Sequence, residues 1–301
     1  MRSSTWPLVL ACVALGALAC RETEVSARSP GQSATTSVRV DAQPEVTPSA
    51  EPRASASAEP EPAAPWPRRE PAPVVTDWCI DRVRTLEQGA CYVLPSRPSS
   101  DLLVYLHGIV PPTPSSVQKT NFQTVVANAS ERAGVVALIP RGNVGLAPKG
   151  HEKWWGWPTT GPSYRRLGPE LVERIRTQRK HLEDVVGVTF SRVMVAGSSS
   201  GAYFATAIAL HGAMDEAHGF GAMSGGAGYR TEELATLRPR PFYVGFGSHD
   251  SVAGSARALG KLLTDAGWPV RVAAHPLPHG AREVYLDEAF SHWGVEGGAE
   301  Q

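Results

Sequence analysis

The chain has 301 residues, 42% of them hydrophobic and 19% charged, enough apolar material for a sizeable buried core in one large or two small domains. Its 29 basic and 29 acidic residues cancel. That balance supplies no overall field for a nucleic-acid backbone or another highly charged partner, so neither is among the expected partners.

Residues 1–20 read as an export signal rather than as part of the fold. Met1 and Arg2 give a short positive start, and the apolar run from Trp6 to Ala19 is too short for an ordinary membrane span. Ala17-Leu18-Ala19-Cys20 resembles a bacterial lipoprotein signal, in which the cysteine becomes a lipidated N-terminus, although Ala17 stands where such signals usually carry leucine. An ordinary cleaved signal is the alternative. Residues 21–75 are rich in Pro, Ala, Ser, Glu and Thr, and bury too little apolar surface to offset the entropy of ordering. They are expected to form an extended linker between the N-terminus and a domain over residues 76–301. The expected location is extracytoplasmic, either tethered to a membrane through Cys20 or secreted. Of the four cysteines, Cys12 and Cys20 belong to the signal region. In an oxidising compartment Cys79 and Cys91 are expected to pair, brought together by a hairpin between them.

From about residue 76 short apolar runs alternate with helical periodicity. Leu102 to Leu106 is a strand-like run ending at His107-Gly108, and residues 119–133 suit a helix with Phe122, Val125, Val126 and Ala129 on one face. Val135 to Ile139 is a second apolar run, stopped by Pro140. After a loop rich in Gly, Pro and Trp, residues 168–186 carry Leu171, Val172, Ile175, Leu182, Val185 and Val186 at helical spacing. Arg192 to Ala196 is a third run, followed by Gly197 to Gly201 and an alanine-rich helix through Leu210. Phe242 to Phe246 and Val270 to Ala274 are further strands, with helices expected over 252–266 and from about Ala281 to His292. Runs that are apolar throughout suit strands buried on both faces, and their alternation with helices predicts a mostly parallel sheet flanked by helices on both faces. Sites in such sheets form in the loops after the strands.

Those loops carry the chemistry. Gly197-Ser198-Ser199-Ser200-Gly201 is a G-x-S-x-G pentapeptide between a buried strand and a helix. A sharp turn there demands glycines at close backbone contacts and lifts the Ser199 hydroxyl clear of the sheet. The plain alternative is a Ser/Gly-rich helix cap. A nucleophilic serine needs a base, and the base an orienting acid. Asp250 follows the strand Phe242 to Phe246, and His279 follows Val270 to Ala274, so nucleophile, acid and base occur in that order. His275 lies too close to its strand end, and Asp265 and Asp287 fall within helices. An oxyanion hole would use the backbone N–H of Ser200 and, after the first core strand, that of Ile109, with His107 bracing that loop through a hydrogen bond. Trp154, Trp155 and Trp157 either line a substrate pocket or pack their loop onto the domain; Ser224 is a candidate for the same cleft.

Competing motifs fail on residue identity. His151-Glu152 lacks a second histidine at Trp155, and Gly219-Phe220-Gly221 meets Ser224 where a dinucleotide fingerprint needs glycine.

Leu106-His107-Gly108, the Gly197 to Gly201 elbow, Asp250 and His279 together resemble the α/β-hydrolase superfamily over roughly residues 90–293. Within it the chain looks most like secreted esterases of the polyhydroxybutyrate-depolymerase and feruloyl-esterase type, or general carboxylesterases, though it lacks the extra cysteines of many secreted members. The resemblance implies acyl transfer from a small-molecule or polymeric ester through an acyl-enzyme on Ser199, with no metal or organic cofactor. The alternatives are peptide cleavage or polysaccharide deacetylation by the same residues, and a tethered binding module that kept the fold without catalysis.

Overall fold

The computed structural model describes residue 66 and residues 77–86, 89–226 and 236–295. The signal segment, Cys20 and, Trp66 apart, the expected linker lie outside the described residues. Trp66 falls within the stretch expected to be linker, yet it packs against the core and its indole N–H donates to the Pro95 carbonyl at 2.8 Å.

Eight strands form one sheet. In chain order they are β1 (Arg84–Leu86), β2 (Ala90–Val93), β3 (Asp101–Leu106), β4 (Val136–Pro140), β5 (Arg192–Ser198), β6 (Gly219–Met223), β7 (Phe242–Gly247) and β8 (Val270–His275). Their spatial order is β1-β2-β4-β3-β5-β6-β7-β8. The hairpin β1–β2 pairs antiparallel and joins β4 antiparallel; every other pairing is parallel. Among the described residues four helices connect strands, α1 (Val117–Ala133), α2 (Gly161–Val186), α3 (Ser200–Leu210) and α4 (Ala253–Asp265), and α5 (Glu283–His292) follows β8. Among the described residues none is long and apolar enough to cross a membrane.

The unbroken apolar runs have a simple cause. Successive strand side chains point to opposite faces, and both faces of β2 to β7 are covered. The run Val270 to Ala274 departs from that expectation: β8 stands at the sheet edge and is half-exposed, Val272 at 47%. In β3, Leu102, Val104 and Leu106 enter one core layer, while Leu103 and Tyr105 enter the other. β5 repeats this with Val193 and Val195 against Met194 and Ala196. The first layer holds the apolar faces of α2, α3 and α4; the second holds those of α1 and α5. Gly219 and Gly221 of β6 leave room for the Trp293 ring, which would lie 2.5 Å from a Cβ at Gly219. Those glycines serve packing.

Helix α2 starts earlier than its apolar periodicity predicts. Thr160 and Ser163 form a reciprocal capping box, proline occupies the first turn, and Pro169 lies inside the helix rather than at its start. The Tyr164 ring packs against Gly168, where a Cβ would come within 2.7 Å of it, and that local contact carries no apolar period to read.

The strands β1 and β2 are too short to show a pattern, but the cysteine pair marks them. Cys79 and Cys91 are joined by a disulfide, and Cys91 lies fully buried in β2. Trp78, next to Cys79, is also fully buried. Replacing both cysteines with alanine is expected to lower the unfolding free energy by about 3 kcal/mol, the chain-entropy value for a loop of this size. Urea denaturation of the oxidised wild type against the double variant measures it.

Candidate active site

The register of the central strands brings four loop starts to one edge. β3 and β5 pair from Asp101↔Arg192 to Leu106↔Gly197, so the chain leaving β3 at His107 runs beside Ser198 and Ser199. Ser198 pairs with Met223, which places Ser224 beside Ser199 on the other flank. Gly247 pairs with His275, so the loops that follow β7 and β8 also emerge together.

At Ser199 the strand becomes a helix within one residue. Its backbone has φ 52° and ψ −121°, a conformation that costs a non-glycine residue about 1–3 kcal/mol. The Ser199 N–H donates to the Met223 carbonyl at 3.0 Å, and the Ser199 carbonyl accepts from Ala202 N–H at 2.9 Å. The flanking glycines are sterically required. A Cβ on Gly201 would fall 2.0 Å from the Leu106 carbonyl oxygen, and one on Gly197 would fall 2.5 Å from the Gly201 carbonyl carbon. Ser199 occupies the N-cap position of α3, but its side chain makes no capping bond, so the hydroxyl stays available.

Asp250 follows β7. Its side chain is fully buried, one oxygen (Oδ1) accepts from the Val252 N–H at 3.1 Å, and the other (Oδ2) meets His279 Nδ1 at 2.8 Å. A carboxylate offers only acceptors, so this contact puts the imidazole proton on Nδ1 and the lone pair on Nε2. His279 is 45% exposed, and it lines a cavity of about 300 Å³ together with Ser199, Gly108, Ile109, Phe122 and Trp154. His275 is engaged elsewhere: its Nε2 lies 3.3 Å from Glu288, which also accepts from the Tyr243 hydroxyl at 2.7 Å. His249 is exposed, and its Nδ1 lies 3.2 Å from the hydroxyl of its neighbour Ser248.

The loop after β3 is braced from beneath. His107 is fully buried; its Nδ1 donates to the Gly108 carbonyl, and its Nε2 accepts from the Gly142 N–H at 2.8 Å. Trp78, Phe122 and Trp157 surround the ring. Arg174 extends the brace by donating to the Arg141 carbonyl at 2.9 Å and to Asn143 at 2.7 Å, on either side of Gly142. Gly108 passes so close to Ser199 that a Cβ there would lie 3.2 Å from Ser199 Cβ. The Val110 N–H is taken by the Trp155 carbonyl and the Ser199 N–H by that of Met223, while Ile109 lines the cavity beside Ser199.

The three tryptophans separate. Trp154 is partly exposed and lines the cavity. Trp155 packs edge-on against Trp78 under the Arg141 guanidinium and bridges Val110 through its backbone. Trp157 is fully buried, stacked on Phe204 at 5.3 Å. Of the two alternatives for these rings, lining the cavity fits Trp154, and packing the loop onto the domain fits Trp155 and Trp157. Ser224, expected at the cleft, is fully buried and bonds to Gly280 instead. Gln118 and Asn121 of α1 line the cavity and escaped the sequence reading; their one signal is polarity at the start of the helix that follows the loop after β3.

Burial holds the His107 imidazole far below its ordinary value of 6.5, at about 3. The folded protein therefore keeps this ring neutral at a pH where the unfolded chain protonates it. Its contribution to stability is present above about pH 6.5 and is lost as pH falls towards 3. In His107→Gln the fall in urea midpoint between pH 7 and pH 5 is expected to be shallower than in the wild type.

No protein-family model and no curated protein matches the sequence. Solved structures do. A Bacillus cereus carboxylesterase superposes with a TM-score of 0.51 at 14% identity, over 71% of this chain and 94% of that one. Esterase PE8 follows at TM-score 0.48 and 16% identity, over 67% and 96%, and Arabidopsis thaliana SOBER1 at 0.47 and 18%, over 64% and 97%. The eight-stranded, mostly parallel sheet with helices on both faces, together with the first of these superpositions, gives this chain the α/β-hydrolase fold.

Proposed function

We propose that the chain is a serine hydrolase that cleaves small carboxylic esters, with Ser199 as nucleophile, His279 as base and Asp250 as the acid that orients it. The observation that carries this reading is the 2.8 Å contact between His279 Nδ1 and the buried Asp250, on an imidazole that shares one cavity with a strained, uncapped serine. In this reading His279 Nε2 takes the Ser199 proton as the oxygen attacks the ester carbonyl. The N–H groups of Ile109 and Ser200 stabilise the oxyanion, the alcohol leaves with the proton from His279, and water then releases the acid by the same steps. The Cys79–Cys91 bond supports an oxidising destination, and with the signal-like segment and Cys20 upstream we read the enzyme as exported, either lipid-tethered through Cys20 or secreted.

A fluorophosphonate probe is expected to label the wild type and spare Ser199→Ala. A folded wild type that resists the probe and every activated ester would favour the binding-module reading. Asp250→Asn is expected to lower kcat by about 10⁴, the cost of the wrong imidazole tautomer.

The cavity of about 300 Å³ lies at the small end of ligand sites. Acetyl and butyryl esters of one phenol are therefore expected to give higher kcat/KM than the dodecanoyl ester. Trp154→Ala is expected to move the preference towards longer chains, read from the same substrate series.

A further inference from the structure

Ser224 lies at the end of β6, and it carries one of the two positive φ values among the described non-glycine residues, the other being that of Ser199. At φ 47° glycine would sit without strain, so a serine there calls for a use of its side chain. The hydroxyl has one. It donates to the Gly280 carbonyl at 3.1 Å and accepts from the Gly280 N–H at 3.3 Å. Gly280 follows His279 directly, and its φ of 131° turns both of its polar groups to the same hydroxyl. The backbone of Ser224 is fixed independently, since its N–H donates to the Gly245 carbonyl of β7 at 2.8 Å. The Tyr285 hydroxyl, also buried, lies against Ser224 outside hydrogen-bond geometry.

Resting on the hydrolase reading, we propose that Ser224 is a positioning residue for the base: its hydroxyl clamps the Gly280 peptide and so fixes where His279 stands. Asp250 fixes the rotation of the imidazole through Nδ1, but one contact leaves the backbone beneath the ring free to shift. The Ser224 clamp supplies the second point. Because β6 lies next to β5, the same strand end whose Met223 carbonyl holds the Ser199 N–H also holds the loop of the base. Nucleophile and base are thereby referenced to one rigid strand.

The test compares Ser224→Gly, which removes the hydroxyl and relieves the backbone, with Ser224→Ala, which removes the hydroxyl and keeps the strain. Thermal unfolding, kcat and KM on an activated acetyl ester, and the ring-nitrogen NMR signals of His279 are read together. The expected result is that Ser224→Gly unfolds at or above the wild-type temperature, while kcat falls about tenfold to a hundredfold with KM within about twofold in both variants. The His279 ring signals are expected to shift in both. Wild-type kcat and unshifted signals in Ser224→Gly would overturn the proposal, as would activity loss that tracks unfolding temperature in both variants. If the wild type neither labels at Ser199 nor turns over esters, the hydrolase reading fails, and the His279 signals alone still decide whether Ser224 positions that ring.

Discussion

The rest of the site depends on one close approach, where helix α3 begins against the end of strand β3. The Leu106 carbonyl stands where side chains on Gly197 and Gly201 would be, and no other residue type leaves it room. This contact lets β5 turn into α3 at Ser199 without pushing β3 away. Because β3 and β5 remain in register up to Leu106↔Gly197, the loop that starts at His107 arrives beside the nucleophile. A larger residue at either glycine would move the donor loop and the nucleophile together.

The two flanks of the nucleophile are held by different physics. On the β3 side, a neutral buried imidazole links Gly108 to Gly142 inside a cage of aromatic rings, and Arg174 pins the segment around Gly142. Burying polar groups there is tolerable because both His107 nitrogens find partners, and the ring stays uncharged. On the β6 side the contacts are fewer: one carboxylate on the imidazole and one hydroxyl on the next peptide. The proposed donor loop thus rests on a packed core, whereas His279, the proposed base, sits at the exposed edge and is held by hydrogen bonds.

The sheet, and the order in which Ser199, Asp250 and His279 follow its strands, were legible because they rest on strong local signals. The buried strands are apolar throughout, and glycine and serine at Gly197 to Gly201 are demanded by backbone crowding. Asp250 and His279 follow strands whose ends can be placed within a residue or two. What stayed hidden depends on which way a side chain turns after the chain leaves its strand. Trp154, Trp155 and Trp157 look alike in sequence, yet the first lines the cavity and the last lies in the core. The early start of α2 rests on the Thr160–Ser163 cap and on Tyr164 over Gly168, neither of which follows the 3.6-residue period. Ser224 could be read as polar and near the cleft, but a positive φ and a bond across 56 positions have no sequence signature.

The two strained serines share a physical support. Each is followed by a tight contact with its neighbour: a Cβ on Gly225 would lie 2.8 Å from the Ser199 carbonyl oxygen. Each also donates its N–H to the next strand along, Ser199 to Met223 of β6 and Ser224 beyond it to Gly245 of β7. Strain of about 1–3 kcal/mol per residue persists only where surrounding structure over-determines the backbone. Here the parallel sheet does so, since relaxing either serine would break a hydrogen bond to a strand that is buried on both faces. The same sheet order therefore explains why both unusual backbones survive and why they are adjacent. Strain stored at the ends of neighbouring strands presents one hydroxyl to the cavity and turns the other to the loop that carries His279.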